Sequence, residues 1–119
     1  MNKIFKVGLI GCGHISETYF RGHDYFNNFQ IIKCADINLD NAKKCAETYG
    51  ITSCTVDELL NDSEIEIVLN LTIPRAHYEV AKKSLNHGKH AYSEKPMAVN
   101  FEEGEELLKL ANSKGLYIG

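Results

Sequence analysis

Short apolar runs alternate with amphipathic stretches along the 119-residue chain, and this alternation limits the fold to a narrow class. Six apolar runs are typical of strands; they span residues 4–10, 30–35, 51–54, 65–71, 89–93 and, as a beginning only, 116–119. The clearest helical pattern between them places apolar side chains at Ala42, Cys45, Ala46 and Tyr49. Because each connection is long enough for a crossover helix, the pattern predicts an α/β fold, a doubly wound parallel sheet of about six strands with helices on both faces.

Capping residues and glycines mark where the predicted helices begin and end. Thr55 and Glu58 have the spacing of a capping box, in which each side chain accepts a hydrogen bond from a free backbone N–H, and they predict a short helix through Leu60. Gly50 follows the helix predicted over residues 40–49, where a left-handed residue commonly ends a helix. Further helices are predicted after Gly13, over about residues 75–86, and from Asn100 to just before Gly115.

Charge and hydropathy exclude several classes of partner. Thirteen basic residues stand against 16 acidic ones, which gives a net charge of −3 and no electrostatic footprint for nucleic acid. No apolar run approaches the roughly 18 residues of a membrane span, and the N-terminal residues lack the apolar stretch and cleavage site of a secretory signal. We therefore predict one domain over residues 1–119, located in the cytoplasm, with neither nucleic acid nor a membrane as partner.

The cysteines and histidines do not have metal-ligand spacing. The four cysteines are far apart in the sequence and form no Cys-x-x-Cys pair; they are Cys12, Cys34, Cys45 and Cys54. Each lies within a strand or helix pattern, which favours reduced thiols acting as small apolar residues over a zinc site or a redox pair. Three of the histidines, His23, His87 and His90, have no Cys or carboxylate at ligand spacing. We predict no metal site.

The first strand leads directly into a glycine-containing turn, Gly11-x-Gly13-x-x-Ser16, which is followed by a helical pattern. Gly11 permits a tight turn from strand to helix, and Gly13 lets a pyrophosphate approach the backbone. The helix N-terminus then offers free N–H groups and the positive end of its dipole to this anion. Ser16 stands where glycine or alanine is usual, and it is small enough for close packing of helix and strand. The turn therefore predicts a dinucleotide site.

An acidic residue lies where such a site needs one. Asp36 ends the second predicted strand, close to the expected spacing of about 20 residues after the glycines. Its carboxylate can accept hydrogen bonds from both adenosine ribose hydroxyls and would repel a 2′-phosphate, and Ile37 and Asn38 supply no positive charge to offset that repulsion. We therefore predict NAD as cofactor, with NADP less favoured. The phosphate-binding pattern that ends in Gly-Lys-Ser/Thr is absent, whereas a methyltransferase-like domain shares these features and stays an alternative.

Four segments together resemble a known family. They are Val-Gly-Leu-Ile-Gly-Cys-Gly-His-Ile-Ser over residues 7–16, Asp36, the turn Thr-Ile-Pro-Arg-Ala-His over residues 72–77, and Glu94-Lys95-Pro96. In this order and spacing they resemble the N-terminal domain of the Gfo/Idh/MocA oxidoreductases, which include glucose–fructose oxidoreductase and inositol 2-dehydrogenase. The resemblance covers the whole chain, and the Glu-Lys-Pro triplet is its most specific part because other dinucleotide-binding domains lack it.

The resemblance implies a Rossmann domain that binds NAD(P) and belongs to an oxidoreductase. Such an enzyme transfers hydride between the nicotinamide and a hydroxyl or carbonyl of a sugar, cyclitol or nucleotide sugar. The family's second, larger α/β domain carries most of the substrate site and the oligomer interface, and we expect it to follow residue 119. We expect the 119-residue chain alone to bind the cofactor without turning over a substrate. A stand-alone, non-catalytic dinucleotide-binding module is the alternative.

The resemblance also assigns roles to single residues. Those implied at the cofactor are Gly11, Gly13 and the amides of His14 and Ile15 at the pyrophosphate, Asp36 at the adenosine ribose, Thr72, Pro74 and His77 along the groove, and Glu94 near the nicotinamide ribose. Lys95 would hydrogen-bond the reacting hydroxyl of the substrate, where its ammonium can stabilise a developing alkoxide or relay a proton. Ile73 takes the position where the family usually has proline, and Pro74 comes one residue later, so the family's backbone path is not carried over to this turn.

The last predicted strand has a consequence for assembly. Residues 116–119 would lie at the edge of the sheet, and an unpaired edge is a template for pairing with another strand. A homo-oligomer is therefore compatible with the sequence.

Overall fold

Five parallel strands form the centre of the structure, a computed structural model that describes residues 4–12, 29–72, 74–93 and 101–119. The strands are β1 (Phe5–Ile10), β2 (Phe29–Ala35), β3 (Thr52–Ser53), β4 (Ile67–Asn70) and β5 (His90–Ser93). The helices in these ranges are α1 (Leu39–Tyr49), α2 (Val56–Leu60), α3 (Pro74–Asn86) and α4 (Phe101–Lys114). The strand order β3-β2-β1-β4-β5 is that of a doubly wound Rossmann sheet, so the predicted fold class is confirmed.

The sheet register brings the carboxyl ends of the central strands to one edge. Ile10 of β1 pairs with Ala35 of β2 on one side and with Asn70 of β4 on the other. Asn70 in turn pairs with Ser93, the last residue of β5. Because all these pairs are parallel, the segments that follow β1, β2, β4 and β5 all leave the sheet at the same edge, where open α/β sheets bind their ligands.

Both faces of the sheet are buried by helices, as predicted. Side chains alternate along β1, so that Val7 and Leu9 lie on the face covered by α1 while Ile10 lies on the opposite face, covered by α2. Gly8 also faces α2, and a Cβ there would lie 2.7 Å from the Leu59 side chain. A glycine in the middle of this strand therefore lets α2 pack directly on the sheet. Burial on both faces explains why the predicted strands are almost continuously apolar.

Local capping signals place the helix ends correctly. The capping box of α2 has both of its bonds: the Glu58 N–H donates to Thr55 Oγ1 over 3.1 Å, and the Thr55 N–H donates to Glu58 Oε1 over 3.0 Å. Helix α1 ends at Gly50, which has a left-handed φ of 68°. Its N-cap is Asn38, whose side-chain oxygen accepts from the Asp40 N–H over 2.9 Å. Asn100, predicted to cap the last helix, and the helix predicted after Gly13 lie outside the described residues.

The sixth predicted strand, residues 116–119, is reduced to a bridge in the structure. Ile118 forms a parallel bridge with Ala91, and the Ser93 N–H donates to the Gly119 carbonyl over 2.8 Å. The Leu116 N–H is still bonded to the Ala111 carbonyl at the end of α4, so pairing with β5 begins only after it. The described sheet therefore has five strands where about six were predicted, and the bridge lies beside β5.

A buried lysine connects the start of β5 to the segment before β4. Lys89 is 4% exposed, and its Nζ donates to the carbonyls of Asp62 and Ile65 over 2.7 Å each. The Asp62 carboxylate is paired with Lys33 of β2. Burial lowers the pKa of Lys89, because removing an ammonium from water disfavours its charged form.

Within the described ranges, no helix has both the length and the apolar character needed to cross a membrane.

Candidate functional site

The turn after β1 has room for glycine only. Gly11 has a φ of 102°, in the region that favours glycine, and its N–H donates to the Ala35 carbonyl over 2.9 Å. A Cβ at this position would lie 2.7 Å from the carbonyl carbon and oxygen of Leu71 and 2.9 Å from the Thr72 nitrogen. The turn after β1 therefore packs directly against the backbone that follows β4. These close distances explain why position 11 requires glycine.

Asp36 connects the end of β2 to this turn. Its Oδ2 accepts a hydrogen bond from the Cys12 N–H over 2.7 Å, and its Oδ1 accepts one from the Asn38 N–H over 2.8 Å. The carboxylate is therefore held beside the glycine turn by two backbone donors. The neighbouring Ile37 is 88% exposed, so the side chain next to the carboxylate is apolar and open to solvent.

The segment after β4 is held by a residue that the sequence reasoning did not single out. Asn70 is fully buried at the end of β4, and its Nδ2 donates to the His77 carbonyl over 3.0 Å. Its Oδ1 accepts from the Thr72 N–H over 3.3 Å and from the Thr72 hydroxyl over 2.6 Å. Asn70 thus fixes the path from β4 into α3. The available signal was an amide at the end of an otherwise apolar strand.

The remaining predicted groove residues have different positions. Thr72 is half-buried at the carboxyl edge and turned toward Asn70. Pro74 is the first residue of α3, a position where its missing N–H costs nothing. The His77 side chain is only 2% exposed, so it lies inside the domain beneath the edge. A direct contact between His77 and the cofactor stays a prediction.

Five predicted site residues lie outside the described part of the chain: Gly13, His14, Ile15, Glu94 and Lys95. Gly13 comes directly after Cys12 in the sequence and Glu94 directly after Ser93, and both preceding residues are at the carboxyl edge. Ser93 adds a group that the sequence reasoning missed. Its Oγ is buried and has no hydrogen-bond partner among the described residues.

The comparisons with known proteins agree with this geometry. The family model described as "Oxidoreductase family, NAD-binding Rossmann fold", that of the Gfo/Idh/MocA proteins, matches residues 5–119. The chain is 33% identical over 115 residues to the scyllo-inositol 2-dehydrogenase (NADP(+)) of Bacillus subtilis, covering 95% of this chain and 32% of that protein. It is 36% identical over 99 residues to the glucose-6-phosphate 3-dehydrogenase of the same organism, covering 82% and 28%.

Solved structures have the same architecture. Biliverdin reductase from Synechocystis, in complex with biliverdin and NADP+, superposes with a TM-score of 0.87 at 30% identity, covering 95% of this chain and 36% of that one. An NAD-binding oxidoreductase from Klebsiella pneumoniae superposes with a TM-score of 0.88 at 25% identity, covering 98% and 34%.

The chain spans about a third of the length of these relatives. The family match covers nearly all of the chain and disfavours the methyltransferase-like alternative. It confirms the resemblance that rested on the glycine turn, Asp36 and the Glu-Lys-Pro triplet. The chain belongs to the Gfo/Idh/MocA oxidoreductase family, and residues 5–119 match its NAD(P)-binding Rossmann domain.

Proposed function

We propose that this chain is the cofactor-binding domain of an NAD-dependent dehydrogenase. The whole enzyme would transfer hydride between the nicotinamide and a hydroxyl or carbonyl of a sugar, cyclitol or nucleotide sugar. A second domain after residue 119 would carry most of the substrate site and the contacts of a homo-oligomer, and the enzyme would act in the cytoplasm. The observation that carries the proposal is the pair of backbone hydrogen bonds that hold Asp36 beside the glycine turn.

The pyrophosphate would bind at the turn after β1. Gly11 lacks a side chain where the backbone of two segments meets, and Gly13 would let the diphosphate reach the amides of His14 and Ile15. Backbone N–H groups at a helix N-terminus are favourable partners for such an anion because the helix dipole adds positive potential there.

The adenosine would bind at the end of β2. Each carboxylate oxygen of Asp36 accepts one backbone N–H and retains further acceptor capacity, so both can also accept from the ribose hydroxyls. Ile37 offers an exposed apolar surface next to the ribose for the adenine ring. A 2′-phosphate on the ribose would meet a carboxylate with no cation in the next two positions, which supports NAD over NADP.

A comparison of NADH with NADPH tests this proposal. We expect the protein to bind NADH at least about tenfold more tightly than NADPH in calorimetric titrations. Asp36→Asn removes the charge that strengthens the ribose hydrogen bonds, so NADH affinity should fall about ten- to a hundredfold. The matched control is Asp40→Asn, which neutralises an exposed carboxylate nearby on α1 and should leave NADH affinity unchanged. The proposed cofactor preference is wrong if the unmodified protein binds NADPH as tightly as NADH.

Residues after β5 would act at the reacting end. The bound nicotinamide supplies or accepts the hydride. Glu94 would lie near the nicotinamide ribose, and the Lys95 ammonium would stabilise negative charge on the substrate oxygen and hold or relay its proton. The alternative, a non-catalytic dinucleotide-binding module, would bind NADH with no turnover in the whole protein.

A further inference from the structure

Three of the four cysteines meet at one place. Cys12 follows β1, Cys34 lies in β2 and Cys45 lies on α1, and their sulfur atoms are all within 4.8 Å of one another. All three are free thiols. Cys34 is 0% and Cys45 6% exposed, whereas Cys12, the residue between the two glycines of the turn, is half-buried. We call this set the thiol triad.

The separation of the sulfur atoms is close to what a small soft cation requires. Zn²⁺ binds thiolate sulfur at about 2.3 Å in a tetrahedral arrangement, which places two such ligands about 3.8 Å apart. The triad therefore needs to contract by about an ångström or less to hold one ion. Thiolates are soft ligands, so they select Zn²⁺, Cd²⁺ and similar ions over Mg²⁺ or Ca²⁺.

Among the described residues, the backbone partners of these thiols are weak ones. The Cys12 thiol donates to the Ala35 carbonyl over 3.5 Å, and the Cys34 thiol donates to the Ala42 carbonyl over 3.4 Å. Thiols are weak donors, so replacing their protons by a cation removes little stabilisation.

A bound cation would ionise all three sulfur atoms, since metal coordination deprotonates thiols.

The ordinary interpretation is that these residues are small apolar side chains of the core. Cys34 and Cys45 do pack with Val7, Leu9 and Leu69. Cys12 packs against the same cluster from its half-buried position. Packing alone, however, does not require three cysteines with their sulfur atoms within 4.8 Å of one another. Because Cys12 is only half-buried, water could supply a fourth ligand on its side of the triad.

We propose that Cys12, Cys34 and Cys45 bind one thiophilic divalent cation of the Zn²⁺ and Cd²⁺ class as thiolates, beneath the glycine turn. Each thiol releases its proton to solvent when its sulfur binds the ion, so up to three protons leave per bound ion. No sulfur is oxidised and no reductant is consumed. The inference is independent of dinucleotide binding, so its failure would leave the proposed function untouched.

A cadmium titration of the reduced protein tests the proposal. We expect one equivalent of Cd²⁺ to produce the ultraviolet sulfur-to-cadmium charge-transfer absorption, with an affinity that falls as the pH is lowered because protons compete for the thiolates. Mg²⁺ should neither produce the absorption nor compete. The proposal is overturned if no absorption develops, or if mild oxidation joins two of the thiols while the reduced protein binds no Cd²⁺.

Two variants and one matched control locate the site. Cys45→Ala and Cys12→Ser each remove a direct ligand, so each should weaken Cd²⁺ binding more than about a hundredfold. Loss of a residue that only supports a ligand typically lowers metal affinity by about 10- to 100-fold. Cys12 is half-buried, so Cys12→Ser keeps the test usable if Cys45→Ala fails to fold. Cys54→Ala should leave the binding unchanged, because the Cys54 sulfur lies outside the triad. Equal Cd²⁺ affinity in the unmodified protein and Cys12→Ser would contradict the assignment, as would loss of binding in Cys54→Ala.

Discussion

At the scale of single residues, the candidate site depends on residues that fix the backbone at the carboxyl edge. Gly11 matters because of what it lacks, and Asn70 matters because it fixes two backbone segments at once. Asp36 alone combines a structural and a recognition role, since backbone donors hold the carboxylate that the ribose would use. Their shared effect is to fix the described backbone at the carboxyl edge through hydrogen bonds and close packing within the protein.

We predict that Gly11→Ala damages both stability and cofactor binding. Its Cβ would lie 2.7 Å from the Leu71 backbone, at a φ that side chains rarely adopt. Strain of this kind costs about 1–3 kcal/mol, and the displaced turn should lower NADH affinity at least about tenfold. Chemical denaturation and calorimetric titration measure the two effects.

Gly104→Ala is the control for this substitution. Gly104 lies on α4, and a Cβ there would meet no atom within 4 Å. Alanine in a helix is favoured over glycine by about 0.5–1 kcal/mol, so this variant should be slightly more stable and bind NADH normally. Equal stability losses in both variants would refute the steric argument at Gly11.

Long-range contacts explain why some of these residues could not be predicted. Gly11 and Asp36 belong to a known local pattern, so the sequence places them. Asn70 bonds to Thr72 and His77, which are close to it in sequence, but its role depends on the backbone path after β4. The thiol triad depends on which strands become neighbours, and no local spacing carries that information. The cysteines were predicted to be small apolar residues because each lies within a strand or helix pattern and none forms a Cys-x-x-Cys pair, yet the packing of β1, β2 and α1 brings three of them together.

At the scale of elements, helix ends were easier to predict than strand ends. Helix α1 ends before Gly50 and α2 begins at the Thr55 capping box because short-range hydrogen bonds decide both positions. Strand ends depend instead on where a neighbour stops pairing. Strand β3 therefore comprises only Thr52–Ser53 within the predicted 51–54, since the structure pairs it with two residues of β2.

We predict that Lys89 is the main polar connection between the end of α3 and the segment before β4. Lys89→Met keeps the length of the side chain but leaves the carbonyls of Asp62 and Ile65 without this buried donor. The free energy of unfolding should fall by about 1–3 kcal/mol at neutral pH. Lys83→Met, at an exposed lysine of α3, should change it by less than about 0.5 kcal/mol.

The same lysine gives a pH dependence with a definite sign. Because the pKa of Lys89 is lower in the folded protein than the ordinary value of 10.5, the unfolded chain binds more protons between these two values. The stability of the unmodified protein relative to Lys89→Met should therefore rise with pH across this window, and the gain should be lost as the pH falls through the folded pKa. A difference that is constant up to pH 10.5 would contradict the shift.

At the scale of the whole molecule, the carboxyl edge gathers residues from four separate segments. The start of the turn after β1, Asp36 after β2, Thr72 after β4 and Ser93 at the end of β5 all lie at this edge because the strands are parallel. This much follows from the alternation of strands and helices. The identity of the substrate does not follow, because the chain spans about a third of its relatives' length and substrate selection is expected in the remainder.

We predict that Lys95→Met separates chemistry from cofactor binding in the whole enzyme. Loss of the ammonium should lower kcat at least about a hundredfold, as for other groups that stabilise a developing oxyanion, while NADH affinity changes less than about threefold. Steady-state kinetics and a binding titration on the same preparation measure both. Lys109→Met, at an exposed lysine of α4, should alter neither. A large drop in NADH affinity with Lys95→Met would show that this lysine serves the cofactor instead.

The tight fit of Gly11 against Leu71 and Thr72 has a mechanical consequence. The two backbone segments pack directly on each other with no side chain between them. Because protein interiors are close-packed, a displacement of one segment is transmitted to the other. A shift of the segment after β4 must therefore displace the turn after β1 in the same motion. An extended ligand bound across this edge would therefore contact two backbone segments that move together rather than two independent loops.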